Sequence, residues 1–302
     1  MTPKAREPQP REPQPREPLA EGVASHEIVQ TRSGAWAMLD RDSGEVMHPI
    51  GGPVAEAEHL YVAASRLEQR LGEPEPAPLV LLDVGLGAGS NAAAALRTCA
   101  SLPDPSTRGR RALHLLSIDR SRAALELALQ REHAAAFGWS EPLADAARAL
   151  ARSGNYRGPG VEWQLRDGDV LEVLGALASQ PGFGADIVFW DPFSPGANPE
   201  LWTLAAFRAL FRVCRAGASV HTYSGATRVR SALLLAGFRV GIGRKIAEGK
   251  HATVAALEPA ALDSPLDRRW LERLGRSSAP FPPDAPAEAL SLIRALPQFG
   301  EA

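Results

Sequence analysis

The chain has little cysteine, little lysine and no long apolar run. Cys99 and Cys214 are the only cysteines among 302 residues, which excludes a disulfide framework and a cysteine-based metal site. The seven histidines show no metal-ligand spacing, so we expect no bound metal. No apolar stretch approaches the ~18 to 20 residues that cross a bilayer, and the amino terminus has no hydrophobic segment of the secretory kind. We therefore expect a cytoplasmic protein without a membrane anchor.

The overall charge is close to neutral. Only three of the 33 basic residues are lysines, namely Lys4, Lys245 and Lys250. The 35 acidic residues outnumber the basic ones by two, which gives a formal charge of −2. A nucleic-acid-binding surface on this protein must therefore be local.

The chain divides into four predicted regions. Residues 1–22 carry a REPQP repeat, whose prolines remove amide donors and which has no apolar side chains for a core. We predict a disordered tail there, with a docking motif as the alternative. Residues 23–75 predict a small β-hairpin with a turn at 42–44, followed by a helix over about 54–71. Residues 76–258 form the main domain, and the proline-rich residues 259–302 are expected to wrap its surface.

Short apolar runs alternate with helical patterns from residue 79 onward, which is typical of βαβ units around a mostly parallel sheet. The helical patterns cover about 90–99, 121–137, 169–179, 199–214 and 225–236, and residues 138–160 look like an insertion with a short helix. Seven strands are predicted, of which the last two form an antiparallel hairpin: Leu79–Asp83, Leu113–Ile118, Val161–Leu165, Asp186–Trp190, Ala218–Tyr223, Phe238–Ile242 and Thr253–Leu257. This order resembles the α/β, Rossmann-like fold of class I methyltransferases, here with a small N-terminal β region.

A glycine-rich turn follows the first of these strands. Asp83 ends the strand, and Gly85, Gly87 and Gly89 continue a D-x-G-x-G-x-G pattern that enters a helix at Asn91. Such a turn lets the backbone approach a ligand closely and directs the amides of the helix start at it. The third glycine falls one position earlier than in the dinucleotide fingerprint, so the spacing favours a nucleoside cofactor such as S-adenosylmethionine over NAD. A merely structural tight turn is the alternative.

Carboxylates also follow the next two strands. Asp119 closes the second strand, where an acceptor-only carboxylate suits a ribose diol. Its alternative role is to cap the helix predicted from Ser121. Gly168 and Asp169 follow the third strand, where a carboxylate can accept a hydrogen bond from the adenine amino group, or can instead cap the helix from Val170.

The fourth strand ends in the loop DPFSPGANPELW. Asp191 stands where open α/β sheets present their reacting groups, and Phe193 lies between two stiffening prolines. An acid at this position can hydrogen-bond an acceptor amine, direct its lone pair at a sulfonium methyl and take up the released proton. The alternatives are a structural turn for Asp191 and a core position, in place of a base-stacking platform, for Trp202.

The segment 228–251 is strongly basic. It holds six basic residues against Glu248, a local charge of +5. Arg230, Arg244 and Lys245 are therefore candidates for binding substrate phosphates, and a solvated charged face is the alternative.

These motifs resemble the methyltransferase module of the MnmC family of tRNA-modifying proteins over about residues 30–258. The resemblance is most specific after the fourth strand, where the family has an Asp-Gly-Phe-x-Pro-x-x-Asn-Pro-x-x-Trp pattern that this chain matches at Asp191, Phe193, Pro195, Asn198, Pro199 and Trp202. Further similar segments are residues 229–230, 236–238 and 243–245, and, before the glycine turn, residues 45–49 and 56–62.

The resemblance implies transfer of a methyl group to the exocyclic amine of an aminomethyluridine at the tRNA wobble position. It implies Asp191 as the residue beside the transferring methyl. The cofactor-binding set is Asp83, Gly85, Gly87, Gly89, Asn91, Asp119, Gly168 and Asp169, and the substrate-binding set is Glu56, Phe193, Trp202, Arg230, Arg244 and Lys245.

This chain departs from the family in two respects. Pro192 replaces the glycine after the aspartate, and the resulting Asp-Pro-Phe is similar to the Asn/Asp-Pro-Pro-aromatic loop of amino-directed methyltransferases. The 302 residues also leave no room for the flavin-dependent oxidase domain of the two-domain protein, so another enzyme is expected to supply the primary amine.

Two other functions compete with a methyltransferase. An aminopropyltransferase resembling spermidine synthase would share the fold; a second carboxylate pair in the active site would support it, whereas the basic segment 228–251 disfavours it. A catalytically silent RNA-binding or scaffold protein is the other alternative, and the intact Asp83, Asp119 and Asp191 disfavour it.

Overall fold

The structure is a computed structural model, which describes residues 25–31, 34–47, 51–105 and 110–300. The predicted tail at 1–22 lies outside the described residues, as do residues 48–49 of the segment that resembles the MnmC family. Within these ranges the strands are β1 (His26–Gln30), β2 (Trp36–Asp40), β3 (Leu79–Val84), β4 (Leu113–Asp119), β5 (Asn155–Gly158), β6 (Val161–Asp167), β7 (Ala185–Trp190), β8 (Cys214–Thr222), β9 (Arg239–Ala247) and β10 (Lys250–Ala256).

One eight-stranded sheet, in the order β5-β6-β4-β3-β7-β8-β10-β9, forms the centre of the fold. The strands from β6 to β8 in this order run parallel, whereas β10 is antiparallel to both of its neighbours and β5 is antiparallel to β6. The predicted α/β class with a mostly parallel sheet and a terminal hairpin is confirmed, with one strand more than the seven predicted. Because the strand order reverses between β3 and β7, a crevice opens at the carboxyl ends of these two strands.

The two central strands are buried at every position. Such continuous apolar runs are what parallel strands need when helices cover both faces of the sheet. Along β3, Leu79 and Leu81 pack into the core layer on one face, and Leu82 and Val84 pack into the layer on the other.

The helices cover both faces of the sheet. The α-helices among the described residues are Pro53–Glu56, Ala63–Ser65, Leu67–Leu71, Ser90–Ser101, Ala123–Ala128, Leu143–Ser153, Val170–Ala178, Leu204–Val213, Thr227–Ala236, Arg268–Leu274 and Ala289–Arg294. Short 3-10 turns lie at Ala134–Phe137, Pro199–Trp202, Pro259–Ala261 and Pro297–Phe299, and a π-helical turn at Ala57–Val62. None of the described helices is long and apolar enough to cross a bilayer.

Three of the predicted helices are interrupted. The pattern at 54–71 contains the π-helical turn and divides again at Arg66, whose φ is 55°. The pattern at 121–137 divides into Ala123–Ala128 and a 3-10 turn. The pattern at 199–214 divides at Thr203, whose side chain accepts a hydrogen bond from Ala206 N at 3.1 Å and so caps a new helix.

The N-terminal hairpin turns earlier than predicted. Gln30 pairs with Trp36, so residues 31–35 connect the two strands. The turn predicted at 42–44 does form, and the Asp40 carboxylate stabilises it by accepting hydrogen bonds from the N–H and hydroxyl groups of Ser43. It leads to a single bridge between Leu39 and Val46.

The segment 138–160 joins the sheet, which corrects its interpretation as an insertion. The helix Leu143–Ser153 ends at Gly154, which adopts a left-handed conformation, and the chain then forms the edge strand β5. The four residues of β5 alternate between half-buried and exposed and include no long apolar run, so the sequence pattern does not reveal the strand.

The C-terminal residues pack against one face of the sheet. Trp270 and Phe299 are buried there and stack on each other with ring centroids 6.0 Å apart. The Gln298 side chain also hydrogen-bonds the backbone N–H and carbonyl of Val240 in β9.

Candidate functional site

A cavity of about 870 Å³ lies at the carboxyl ends of β3, β4 and β7. This volume is within the ~300 to 1,000 Å³ that is usual for small-molecule sites. The glycine turn after β3, the loop after β7 and the N-terminal segment line it. Of the predicted site residues, the cavity brings together Glu56, Gly85, Gly87, Asn91, Asp119, Asp191 and Phe193.

The glycine turn lies against the loop that follows β7. Gly85 has a φ of 86°, and a Cβ atom at this position would lie 2.6 Å from the carbonyl oxygen of Asp191. Only glycine therefore permits this close approach of two backbones. Gly89 does not line the cavity, because its Cα faces the Trp139 ring, which a Cβ atom would meet at 2.6 Å.

Asp119 connects the end of β4 to the glycine turn. Its Oδ2 accepts a hydrogen bond from Gly87 N at 2.8 Å, and its Oδ1 accepts one from Ser121 N at 3.1 Å. Burial raises the pKa of this carboxyl, although the backbone donors oppose the shift. Asp119 thus both organises the backbone around it and faces the cavity, where it can accept from a ribose diol.

Asp83 lies beneath the glycine turn and does not line the cavity. Its Oδ2 accepts a hydrogen bond from the Ser117 hydroxyl at 2.8 Å. Burial raises the pKa of Asp83 to about 7, against the opposing effect of this hydrogen bond. The structure therefore places the Asp83 side chain in the core, where it joins β3 to β4.

The Asp191 carboxylate has a defined orientation. Its backbone N–H donates to the Val84 carbonyl at 2.9 Å. The Tyr61 hydroxyl donates to its Oδ1 at 2.5 Å, and Asn91 Nδ2 donates to its Oδ2 at 2.7 Å. Asp191 therefore presents an acceptor to the cavity from the switch point of the sheet.

The loop after β7 is fixed by aromatic residues of the core. Trp202 is 2% exposed, and its Nε1 donates to the Phe193 carbonyl at 2.8 Å. Its ring contacts Phe207 and Tyr223 edge-on. Trp202 is thus a core residue that supports the loop, and the structure does not bring it to the cavity as a stacking platform.

The N-terminal segment contributes residues that we did not predict from the sequence. The Glu45 carboxylate accepts hydrogen bonds from both the N–H and the hydroxyl of Ser194, so it holds the loop after β7 across the cavity. Glu45, Tyr223 and Met47 line the cavity with Glu56. Glu45 falls within a segment that resembles the MnmC family, but no local pattern shows that it contacts a loop 149 residues away.

Gly168 and Asp169 do not line the cavity. Asp169 Oδ1 accepts hydrogen bonds from Leu171 N at 2.8 Å and from Glu172 N at 3.3 Å. Asp169 therefore caps the helix Val170–Ala178, which is the alternative that the sequence left open. The Asp169 carboxylate also pairs with Arg120 at 2.5 Å. Gly168 N donates to the Asp119 carbonyl at 2.9 Å and so supports the end of β4.

The basic candidates fall into two groups. Arg230 is buried and donates to the Thr253 hydroxyl at 3.0 Å and the Ala252 carbonyl at 3.0 Å, and burial lowers its pKa to about 10. It is therefore not accessible to a phosphate. Arg244 and Lys245 are exposed on β9. They lie near the cavity rim, because the next residue, Ile246, lines the cavity.

The cavity fits a nucleoside cofactor. The cavity is lined by the backbone of the glycine turn, the Asp119 carboxylate and the apolar side chains of Leu86 and Ile118, which suit a nucleoside. Among the described residues no cluster of three or more His, Cys, Asp or Glu could hold a metal.

Comparisons with known proteins connect this geometry to one kind of chemistry. Residues 144–258 match a family of S-adenosyl-L-methionine-dependent methyltransferases. The chain is 30% identical over 240 residues to the tRNA 5-methylaminomethyl-2-thiouridine biosynthesis bifunctional protein MnmC of Cupriavidus necator, covering 76% of this chain and 35% of that protein. For the protein of the same name from Ralstonia nicotianae the identity is 31% over 259 residues, with 82% and 35% covered. The chain thus spans about a third of the length of these curated relatives.

The similarity extends to solved structures. The crystal structure of MNMC2 from Aquifex aeolicus superimposes with a TM-score of 0.68 at 26% identity, covering 90% of this chain and 84% of that one. A spermidine synthase in complex with the transition-state analogue AdoDATO gives a TM-score of 0.50 at 14% identity, with 90% and 82% covered, which shows a shared fold alone.

Proposed function

Since the chain is an MnmC-like, S-adenosylmethionine-dependent methyltransferase module, we propose that it methylates the exocyclic amine of a 5-aminomethyluridine-type nucleoside at the wobble position of tRNA. The observation that supports this most directly is the Asp191 carboxylate, which stands at the carboxyl end of β7 beside the glycine turn. It is an acceptor held ready for the N–H of an amine.

The protein contributes mainly by placement. When bound, S-adenosylmethionine supplies a methyl carbon that carries a sulfonium leaving group. Asp191 accepts a hydrogen bond from the neutral acceptor amine, so the nitrogen lone pair points at the methyl. On gaining the methyl group, the amine nitrogen would become positively charged. Asp191 stabilises this charge and takes up the proton that the nitrogen releases.

The charge of the cavity suits a basic acceptor. Glu45 and Glu56 line the cavity together with Asp191, so it can bind an aliphatic amine in the protonated form that prevails at neutral pH. This amine must release one proton to the solvent before its nitrogen can attack. These carboxylates would suit a polyamine as well, so they do not separate a methyltransferase from an aminopropyltransferase. The comparisons favour the methyltransferase, because MnmC proteins match at about 30% identity and the spermidine synthase matches in fold alone.

The surroundings of the reaction belong to the same proposal. We place the protein in the cytoplasm with its tRNA substrate, and a separate enzyme provides the primary amine. Arg244 and Lys245, exposed near the cavity rim, would contact the tRNA phosphates. The logarithm of the tRNA affinity falls linearly with the logarithm of the salt concentration. Replacing either residue by alanine should reduce the magnitude of this slope by about 1.

The test is methyl transfer to tRNA isolated from a strain that lacks this gene, followed by mass spectrometry of the tRNA nucleosides. We expect an aminomethyluridine to gain one methyl group with the wild-type protein. Asp191→Asn should abolish the gain, while the exposed control Asp145→Asn should not change it. Methylation at another nucleoside, or equal activity of Asp191→Asn, would contradict the proposal.

Cofactor titration separates the competing functions. Isothermal titration should show binding of S-adenosylmethionine to the wild-type protein and, with nearly unchanged affinity, to Asp191→Ala. Preference for the decarboxylated cofactor would indicate an aminopropyltransferase, and binding of neither would indicate a silent scaffold.

A further inference from the structure

Asp191 accepts side-chain hydrogen bonds from two residues that lie far away in sequence. Tyr61 lies 130 residues before it, and Asn91 lies 100 residues before it. Each carboxylate oxygen thus accepts a hydrogen bond from a neutral donor. Two donors from different elements fix the plane of the carboxylate, which a single hydrogen bond would leave free to rotate.

Tyr61 belongs to the π-helical turn Ala57–Val62, which interrupts an otherwise α-helical segment. Such turns insert an extra residue into a helix and occur often at functional sites. The Tyr61 ring is 1% exposed and packs against Phe189 with the ring centroids 5.3 Å apart. Because Phe189 lies on β7, two residues before Asp191, the strand that carries the carboxylate also holds the ring that contacts it.

The hydroxyl of Tyr61 is a dependable donor. Burial, and then the charge of Asp191, raise its pKa well above the usual value, so the hydroxyl keeps its proton. The hydroxyl donates this proton to Asp191 Oδ1. Tyr61 does not line the cavity, so any effect it has on the reaction must pass through Asp191.

We propose that Tyr61, together with Asn91, is a positioning residue that holds the Asp191 carboxylate ionised and oriented toward the acceptor amine. The inference rests on the proposed role of Asp191 in methyl transfer. Neutral donors matter at this point because the groups around the carboxylate are largely acidic and do not favour a further negative charge. The titratable groups that face Asp191 from the surrounding elements are Asp83, Asp119, Glu45, Glu56, Tyr61 and Tyr223.

The first test is Tyr61→Phe, which keeps the ring and removes only the donor. We expect kcat to fall by about 10- to 100-fold, as for the loss of one hydrogen bond to a charged group, and the affinity for S-adenosylmethionine to change by less than about twofold. The acid limb of the kcat/KM profile should move to higher pH, because the ionised carboxylate has lost a donor. Asn91→Asp should move this limb further, because it places a like charge against Asp191.

The matched control is Tyr156→Phe. Tyr156 is half-buried on the edge strand β5 and does not line the cavity, so its hydroxyl can be removed without touching Asp191. This variant should keep the wild-type kcat and pH profile. Loss of kcat in Tyr61→Phe without a shift of the acid limb would show that Tyr61 is only structural, and so would an equal loss of cofactor affinity.

A second measurement does not depend on the acceptor. In protein labelled with ¹³C at the aspartate carboxyl carbons, the Asp191 signal can be assigned by its loss in Asp191→Asn. Its titration midpoint should be higher in Tyr61→Phe than in the wild type and unchanged in Tyr156→Phe. If the wild type fails to methylate tRNA but this midpoint moves, the substrate proposal is wrong and the positioning role holds. An unmoved midpoint would overturn the positioning role whatever the substrate.

Discussion

The contact between the glycine turn and the loop after β7 predicts a large loss of stability in Gly85→Ala. The loss should exceed the cost of placing alanine in a left-handed backbone conformation, because the new side chain also clashes. The new Cβ atom would lie 2.6 Å from the Asp191 carbonyl oxygen, 2.9 Å from the carbonyl carbon and 3.0 Å from Pro192 Cα. These are backbone atoms, which cannot move aside as the end of a flexible side chain can. Gly182 offers a matched control, because its φ is 77° and a Cβ atom there would meet nothing within 4 Å.

The two substitutions share one cost and differ in another. A left-handed conformation costs an L-residue ~1 to 2 kcal/mol in both variants. The crowding at Gly85 adds ~1 to 3 kcal/mol, as overpacking does in a closely packed core. We therefore expect Gly182→Ala to lose ~1 to 2 kcal/mol of unfolding free energy and Gly85→Ala to lose ~2 to 5 kcal/mol. Gly85→Ala should also slow methyl transfer by up to ~100-fold, since a displacement of about 1 Å at a reacting group has effects of that size.

The assays are urea unfolding at 25 °C and initial rates of methyl transfer, measured for both variants and the wild type. Gly182→Ala should transfer methyl groups at the wild-type rate once it is folded. Equal destabilisation of the two variants, together with a wild-type rate for Gly85→Ala, would refute the idea that this backbone contact fixes the position of Asp191.

Three further predictions concern carboxylates. Asp186→Ala removes a carboxylate that is shared by two arginines and should cost ~3 to 5 kcal/mol in urea unfolding, whereas the exposed pair lost in Asp145→Ala should cost less than ~1 kcal/mol. Burial raises the pKa of Asp83 from 3.8 to about 7, so the unfolded chain releases this proton first, and the contribution of Asp83 to stability falls as the pH rises between these values. This decrease contributes on the order of a few kcal/mol to the difference between the wild-type unfolding free energies at pH 4 and pH 8, and Asp83→Asn should abolish the contribution. A variant with the wild-type pH dependence of stability would contradict the raised pKa of Asp83. Asp119→Ala should weaken S-adenosylmethionine binding by ~10- to 100-fold in calorimetry. Asp169→Ala should leave this affinity unchanged and should lose ~1 kcal/mol of unfolding free energy, because Asp169 caps a helix. Equal losses of affinity in the two variants would show that Asp169 also binds the cofactor.

The parts of the fold that the sequence reveals are those in which burial and pattern coincide. The strands β3 and β7 are buried at all positions, so each is a continuous apolar run that can be recognised without its neighbours. The edge strand β5 has no such run, because only one of its sides is paired and its residues are partly exposed. The strands β1 and β2 are paired between Gln30 and Trp36. The prediction placed the hairpin turn at 42–44 instead, because Asp-Ser-Gly has the residues typical of a turn.

The candidate site divides along the same line. Asp119 and Asp191 could be found because the ends of parallel strands meet at one edge of the sheet, so their position follows from topology. For Asp169 the sequence allowed both a cap and a cofactor ligand, and its contacts with Leu171 N and Glu172 N show the cap. Trp202 and Arg230 have residue types that suit nucleic acid, but both are buried, and no local pattern reports how deeply a side chain lies.

Glu45 and Tyr61 show why the orientation of a reacting group is harder to find than its identity. Asp191 is fixed by Tyr61, which precedes the first strand of the central sheet, and its loop is fixed by Glu45, which comes earlier still. Both contacts depend on the pairing of β7 with β3, since this pairing brings the loop after β7 to the cavity. If Asp191 acts as we propose, the N-terminal segment is part of the active site even though the glycine turn and the strand-end acids lie outside it. A change there that leaves every acid in place can still reduce turnover, because it alters the direction in which Asp191 presents its oxygens.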